Sequence, residues 1–357
     1  MTIFKQNPGS VNAPQSLRIN NFDLLRFLFA MIVFLVHGYV LSNNAKLAWF
    51  TQILSSEIAV KSFFVVSGFL IFMSYENSGS MGSYFSKRVR RIYPAYFSIV
   101  VLCAFVGALF TNVSWTNFFS SEWLKYLIVN LLFLNFLQPD LPGLFSENPI
   151  QAVDGALWTL KIEVMFYLCV PLFVIAIRKW GRCPILLGTY ALSLIYIVAV
   201  EVWGVKTGSI IYPALQRQLP GQLVFFISGA TLYYYLDIFK HSWLWLLLPS
   251  IGVFAIKPWI PVAWVEPMAL GVVVVYLACI FPCLGNFGKY GDFSYGIYIT
   301  HFPILQVLIS SGAFDYSPYF GLAVAGVLIL ATSYIFWHFI EKPFLKKSSH
   351  YLETSHG

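Results

Sequence analysis

The chain reads as an all-α, polytopic membrane protein with about ten spans, on three observations. Of its 357 residues, 59% are hydrophobic, 18% aromatic and only 10% charged, too little charge to cover a water-soluble domain of this length. Apolar runs close to the roughly 20 residues that cross a bilayer recur from end to end. Lys and Arg also fall unevenly between alternate connections, as they do in polytopic proteins of a cytoplasmic membrane.

The spans are expected at about 22–41, 53–75, 93–111, 156–177, 185–203, 221–238, 242–258, 266–283, 292–311 and 318–339. The first 20 residues are polar and the first apolar run carries Asp23 and Arg26. That suits an uncleaved span better than a signal peptide. No repeat or linker divides the chain. The expected organisation is a cytoplasmic N-terminal segment (1–21), a membrane domain (22–340) and a cytoplasmic tail (341–357).

One run needs a decision. WLKYLIVNLLFLNFL, from Trp123 to Leu137, is short and carries Lys125, Asn130 and Asn135. If it does not cross and the N-terminus is cytoplasmic, 15 of the 22 Lys and Arg residues lie inside and 7 outside. If it crosses, RKWGR, Lys289 and the KKSS tail move outside, against the positive-inside rule. The segment is therefore expected to be a partial or interfacial helix at the outer face, residues 123–137, with both termini cytoplasmic in an inner membrane. The net charge of +7 follows from this topology and is no sign of nucleic-acid binding. The five cysteines are odd in number and sit in or beside apolar runs, so no disulfide framework is expected. Cys279 and Cys283 alone make a weak metal site, and no metal is expected.

Chemistry enters with Arg26 and His37 in LLRFLFAMIVFLVHGYVL. Eleven helical steps return to within roughly 20° of one face and rise about 16 Å. Ionisable groups within a span cost about 2.5–3.5 kcal/mol each, so two on one stripe point to use. The structural alternative is a snorkelling Arg and a core His. Glu163, in ALWTLKIEVMFYL, enters the membrane from outside and can reach the depth of His37. A carboxylate beside an imidazole raises its basicity and fixes its tautomer, although such a pair can equally tie two helices together. His301, in FSYGIYITHFP, lies near mid-membrane, with Tyr298 on its face one turn earlier; Tyr295 carries less weight.

KRVRRIYPAY is expected to connect spans 2 and 3. Arg88 and Arg91 are three apart, so a helical turn would aim both guanidiniums one way, and such forks suit phosphate oxygens. A basic connection can also be no more than a topology anchor. Ser67 and Gly68, in FFVVSGFLIF, suggest close helix packing.

Together these stretches resemble the acyltransferase-3 family of integral membrane acyltransferases, which includes bacterial O-antigen and other surface-polysaccharide acetylases. The resemblance runs from NNFDLLRFLFAMIVFLVHG to FIEKPF. It rests on Arg26 and His37 at the family's Arg-x10-His spacing and on Phe63, Phe64, Ser67 and Gly68 of FFxxSG. It rests further on Arg88 and Arg91 before Ile-Tyr-Pro, on Trp158, Thr159, Leu160 and Glu163, and on Ser294, Tyr295, Tyr298 and His301. Lys61 departs from the polar residue that relatives often carry there. The esterase-like domain fused to some relatives is not expected after span 10.

The resemblance implies transfer of an acyl group, usually acetyl, from cytoplasmic acyl-CoA to a hydroxyl of an extracytoplasmic surface polysaccharide or lipid-linked glycan. His37 would be the general base or a transient acyl carrier. Glu163 would orient His37 or bind the acceptor. Tyr298 and His301 would line the channel and stabilise the oxyanion. Arg26, Arg88 and Arg91 would hold the donor. Two other classes use the same residues. A proton-coupled transporter or flippase would employ the intramembrane His, Glu and Arg, and inverted repeats with broken helices would mark it. A non-catalytic membrane scaffold would use buried charges only to fix helix register.

Overall fold

The structure is a computed structural model that describes residues 20–345. Only the inner ends of the expected terminal segments 1–21 and 341–357 fall within it. Eleven principal helices follow one another, with no strand among the described residues. They are α1 (Phe22–Ser42), α2 (Ser56–Glu76), α3 (Met81–Val106), α4 (Ser121–Leu131), α5 (Trp158–Trp180), α6 (Arg182–Thr207), α7 (Leu219–Tyr234), α8 (Leu236–Ile256), α9 (Glu266–Cys279), α10 (Phe293–Ser310) and α11 (Pro318–Ile335).

Each of the ten expected spans is a helix. Eight are long and apolar enough to cross a bilayer. The other two, α7 with 16 residues and α9 with 14, are shorter than expected. At 1.5 Å per residue, α7 reaches about 24 Å, short of a hydrocarbon core of about 30 Å. Nearly all of α7 is buried, so neighbouring helices rather than lipid surround it and its length need not match the bilayer. The Trp123–Leu137 run does not cross. Helix α4 has 11 residues, about 16 Å, and the chain then turns through Phe133 at positive φ.

The basic segment is a correction to the sequence reading. It is no connection: α3 begins at Met81 and runs unbroken through Arg88, Arg91 and Pro94. Ser80 starts the helix by accepting the Ser83 N–H at 3.1 Å, and Lys and Arg are good helix formers.

The chain forms two compact units. The first comprises Met1–Leu25, Lys61–Phe85 and Ile162–Asn286. In it, α2 and α7 approach backbone to backbone. A Cβ on Gly68 would strike the Phe226 carbonyl, and one on Gly229 would strike that of Val65, so only glycine permits this crossing. The Phe166 and Phe226 rings stack beside it, centroids 4.1 Å apart. At the helix ends, Glu76 accepts from Arg178 at 2.7 Å and from the Tyr234 hydroxyl at 2.8 Å.

The second unit comprises Arg26–Val60, Ser86–Lys161 and Phe287–Gly357. It holds most of α1 and α3, with α4, α10 and α11. Asp292 caps α10 by accepting the Ser294 N–H at 3.0 Å. After α11 the chain widens into a π-helical turn, Phe336–Glu341. Such turns often sit at functional sites.

Candidate active site

Within the second unit, α1 and α10 meet through polar pairs at two levels. At the first, Arg26 pairs with Asp292. At the second, His37 Nδ1 lies 2.8 Å from His301 Nε2, with the rings stacked at a centroid distance of 5.0 Å. Eleven residues of α1 and nine of α10 separate the levels, about 16 Å and 13 Å of rise. The two helices therefore run parallel, and one stripe of α1 carries both Arg26 and His37.

The charged level is a closed network. The Asp292 carboxylate accepts from both Arg26 and Arg91, and from the Ser294 hydroxyl. Arg91 also donates to Glu341 at 3.0 Å, and its guanidinium lies over the Tyr295 and Trp337 rings at 5.9 and 5.8 Å. Both carboxylates have side chains only 1% exposed. Asp292 stands just before the span Phe293–Ser310. Burial opposes its charge, but the two guanidiniums and the Ser294 bonds outweigh burial and hold its carboxyl down at about 2. One Glu341 oxygen, Oε1, is buried with no hydrogen-bond partner among the described residues. Arg88, half-buried, sits one turn before Arg91 on α3.

The imidazole level has a defined polarity. His301 is fully buried and its Nδ1 lies 2.7 Å from the Tyr298 carbonyl. A carbonyl only accepts, so His301 Nδ1 carries the hydrogen. In a neutral His301, Nε2 is then the acceptor, and His37 Nδ1 must donate to it. The hydrogen-bond network thereby assigns the tautomer of His37 and leaves the lone pair on its Nε2. The Phe302 ring stands edge-on to His37 at 5.8 Å.

The Tyr298 hydroxyl is 2.8 Å from that of Thr159 and 3.4 Å from the Ala156 carbonyl. Thr159 also reaches that carbonyl, at 3.1 Å, and both side chains are buried. The strand of chain before α5 is pinned above this level. Gln306 donates to the Ile150 and Ala152 carbonyls at 2.6 and 2.7 Å. Asp154 accepts the Ala156 N–H at 3.0 Å. Burial pushes the Asp154 carboxyl well above the usual range, against that bond.

Of the expected site residues, His37, His301 and Tyr298 come together, and Arg26 joins Arg91 through Asp292. The ring partner of His37 is an imidazole, not the carboxylate that the spacing suggested. Glu163 is bonded inside the first unit, where its Oε1 accepts from Tyr167 at 2.5 Å and from Ser67 at 3.3 Å. Sequence reasoning missed Asp292 and Glu341 as site residues, and named Thr159 only as part of the Trp158–Glu163 stretch, with no role of its own. Asp292 had a signal, an N-cap position two residues before Ser294 in GDFSY. Glu341, in FIEKPF, had none beyond its place at the end of an apolar run.

Relatives cover nearly all of the chain. An O-acetyl transferase of Shigella phage Sf6 is 29% identical over 342 residues, 92% of this chain and 97% of its own length. Nodulation protein 10 of Rhizobium leguminosarum bv. viciae is 26% identical across 95% of this chain and 96% of its own. The peptidoglycan O-acetyltransferase OatA of Listeria monocytogenes is 27% identical over 43% of this chain and 26% of its own. No solved structure matches the chain. The model of the acyltransferase domain family matches residues 19–338, a stretch that contains all the expected site residues and, Glu341 apart, both polar levels; the chain belongs to that family of acyltransferases.

Proposed function

We propose that this integral membrane acyltransferase moves an acetyl group from acyl-CoA to a hydroxyl of a surface glycan, with His37 as the general base. The observation that carries the reading is the two-level stripe on α1. A cationic level suits the polyanionic head of CoA, and an imidazole with a free ring lone pair stands about 16 Å further along the same helix. Two relatives are named O-acetyltransferases, one of them of peptidoglycan, which favours a hydroxyl on a glycan as the acceptor.

In this mechanism the donor phosphates engage Arg88 and the Arg26–Arg91 level from the cytoplasmic side. The thin pantetheine arm carries the thioester toward His37. The acceptor enters from the opposite side, past the segment 148–157. His37 Nε2 takes the hydroxyl proton as the oxygen attacks the thioester carbon. The new C–O bond forms, the C–S bond breaks, and His37 returns the proton to the thiolate. His301 holds the tautomer throughout. Tyr298 and Thr159 border the acceptor. Both termini lie on the cytoplasmic side of an inner membrane, the arrangement that puts most of the basic residues inside.

The decisive assay uses vesicles of both orientations with acetyl-labelled CoA. Label should reach glycan only when CoA has access to the face that carries the termini. Transfer with CoA confined to the other face, or dependence on a different donor, overturns the reading. Labelling of a cysteine placed at position 147 from outside checks the orientation separately.

A further inference from the structure

Three helices of the first unit stop short at one level, and prolines set that level. At the near end, Glu76 joins Arg178 and Tyr234, and the Arg182 guanidinium lies over the Tyr234 ring at 5.0 Å. The ends of α2, α5 and α7 and the start of α6 therefore share one height. At the far end, Pro258 has no N–H to continue α8 beyond Lys257. Pro220 and Pro267 occupy the first turns of α7 and α9, the place in a helix where proline fits. Helix α7, with 16 residues, and α9, with 14, rise about 24 and 21 Å. Helix α8 bends at Ser242, where φ −115° and ψ 15° are non-helical, and residues 243–256 beyond the bend rise about 20 Å. Trp243 stacks on Tyr276 at 5.1 Å, so α8 and α9 stand side by side.

Helix α6 gauges the shortfall. Ser193 accepts the Val224 N–H at 3.0 Å, and Tyr196 donates to the Leu215 carbonyl at 3.0 Å. The start of α7 thus lies beside the middle of α6. Residues 198–207 carry α6 about 15 Å further, with Val198, Val202 and Val205 exposed. Tyr190, nearer the start of α6, donates to the Trp264 carbonyl at 2.9 Å and holds the α8–α9 connection low.

Other helices sheathe α7, but α8 has an open face. Trp245, Leu248 and Ile251 form an exposed stripe along it. Asp237 and His241 are exposed below that stripe, and Lys257, Trp259 and Trp264 are exposed above it. Charged residues and Trp mark the borders of the hydrocarbon, yet the apolar stretch between these borders is about 20 Å where the bilayer offers about 30 Å. A short stretch is matched by snorkelling, by oligomerisation or by thinning of the bilayer. Snorkelling is closed to Lys257, because Glu266 in the first turn of α9 holds its ammonium at 2.8 Å.

We infer that the open face of α8 binds a locally thinned bilayer, in which phospholipid headgroups and water come down by about 10 Å to the Lys257–Glu266 pair. Along α6 the bilayer keeps its full height. The partner of this face is a lipid surface, and its fit is independent of the transfer reading.

Spin labels on the full-length protein in dioleoyl phosphatidylcholine liposomes test this. Ile260→Cys and Val198→Cys place labels at similar heights on the low and the tall side, in a chain whose five native cysteines are replaced by alanine. The ratio of collisions with oxygen to collisions with a water-soluble nickel complex should be at least about fivefold lower at 260 than at 198. In longer-chained dierucoyl liposomes the ratio at 198 should rise while that at 260 stays low. Should the alanine background unfold, a polarity-sensitive fluorescent amino acid at the same two positions of the unaltered chain gives the comparison through its emission wavelength. High ratios at both positions mean hydrocarbon of full thickness beside α8 and overturn the proposal. Low ratios at both put that height outside the bilayer on every side and also overturn it. Few collisions with either reagent at 260 mean that a second copy of the chain covers the face, which replaces thinning by oligomerisation.

Discussion

His37 Nδ1 faces His301 Nε2 at 2.8 Å, and because His301 Nδ1 is committed to the Tyr298 carbonyl, the proton between the two rings belongs to His37. One imidazole sets the tautomer of the other. This is the role a buried carboxylate plays in many hydrolases, filled here by a neutral ring that brings no charge into the membrane. Arg26 and Asp292 repeat the pairing lower on the same two helices with full charges.

His37→Ala should lower acyl transfer at least about a hundredfold, since general-base catalysis is worth about 10²–10⁴-fold. The protein should still insert and bind acyl-CoA. Transfer of labelled acetyl in membranes, normalised to inserted protein, gives the answer. Full activity in this variant would remove His37 from the chemistry.

His301 acts through His37, so its loss should be milder. His301→Ala should lower kcat by roughly ten- to a hundredfold, below the cost of losing the base itself. His301→Gln keeps an acceptor for the His37 N–H and should recover part of the loss. KM for the donor should stay constant. A glutamine variant no better than alanine would argue against tautomer control.

Asp292 holds two guanidiniums. Asp292→Ala strips both of their shared partner, and breaking a buried pair in this way costs about 3–5 kcal/mol. Melting in detergent should show a large fall in Tm. Adding Arg26→Met should restore part of it, because the guanidinium that paired with Asp292 is then gone, while Arg91 keeps Glu341. If the double variant is less stable than the single one, the network is held together by something other than charge balance.

Arg88 probes donor binding apart from the Arg91–Asp292 pair. Arg88→Ala should weaken acyl-CoA binding by about 1.5–3 kcal/mol, the worth of one charge-assisted bond. Isothermal titration in detergent measures it. Unchanged affinity would leave the basic turn of α3 as a topology anchor.

Asp154 supplies a pH signature. Burial pushes its carboxyl well above the ordinary range of an aspartate, so above about pH 4 the folded state holds a proton that the unfolded state releases. Its contribution to stability must therefore fall as pH rises above about 4. Asp154→Asn preserves the cap on Ala156 and removes that titration. The variant should melt higher than the parent at neutral pH, with the gap closing near pH 4. A gap that widens at low pH would mean that Asp154 is ionised in the folded protein.

Much of this protein is legible from sequence because the bilayer makes hydrophobicity a direct readout of span position. Runs of apolar residues located all ten helices, and the helical repeat alone placed Arg26 and His37 on one stripe. Charge asymmetry likewise kept the Trp123–Leu137 run from being read as a span, as the short helix α4 bears out. What periodicity does not carry is which helix faces which. The sequence offered Glu163 as the polar partner of His37 and placed His301 only in the channel lining; the packing of α10 along α1 brought the second imidazole to His37. The same holds for Asp292 and Glu341, 201 and 250 residues from the Arg91 they hold. Contacts so distant in the chain are fixed by the shape of buried faces, as at Gly68 against Phe226, where removal of a side chain lets two backbones touch. Sequence therefore determined the spans and the polar groups within them; tertiary structure decided the pairs, because pairing depends on side-chain packing between helices that local pattern does not encode.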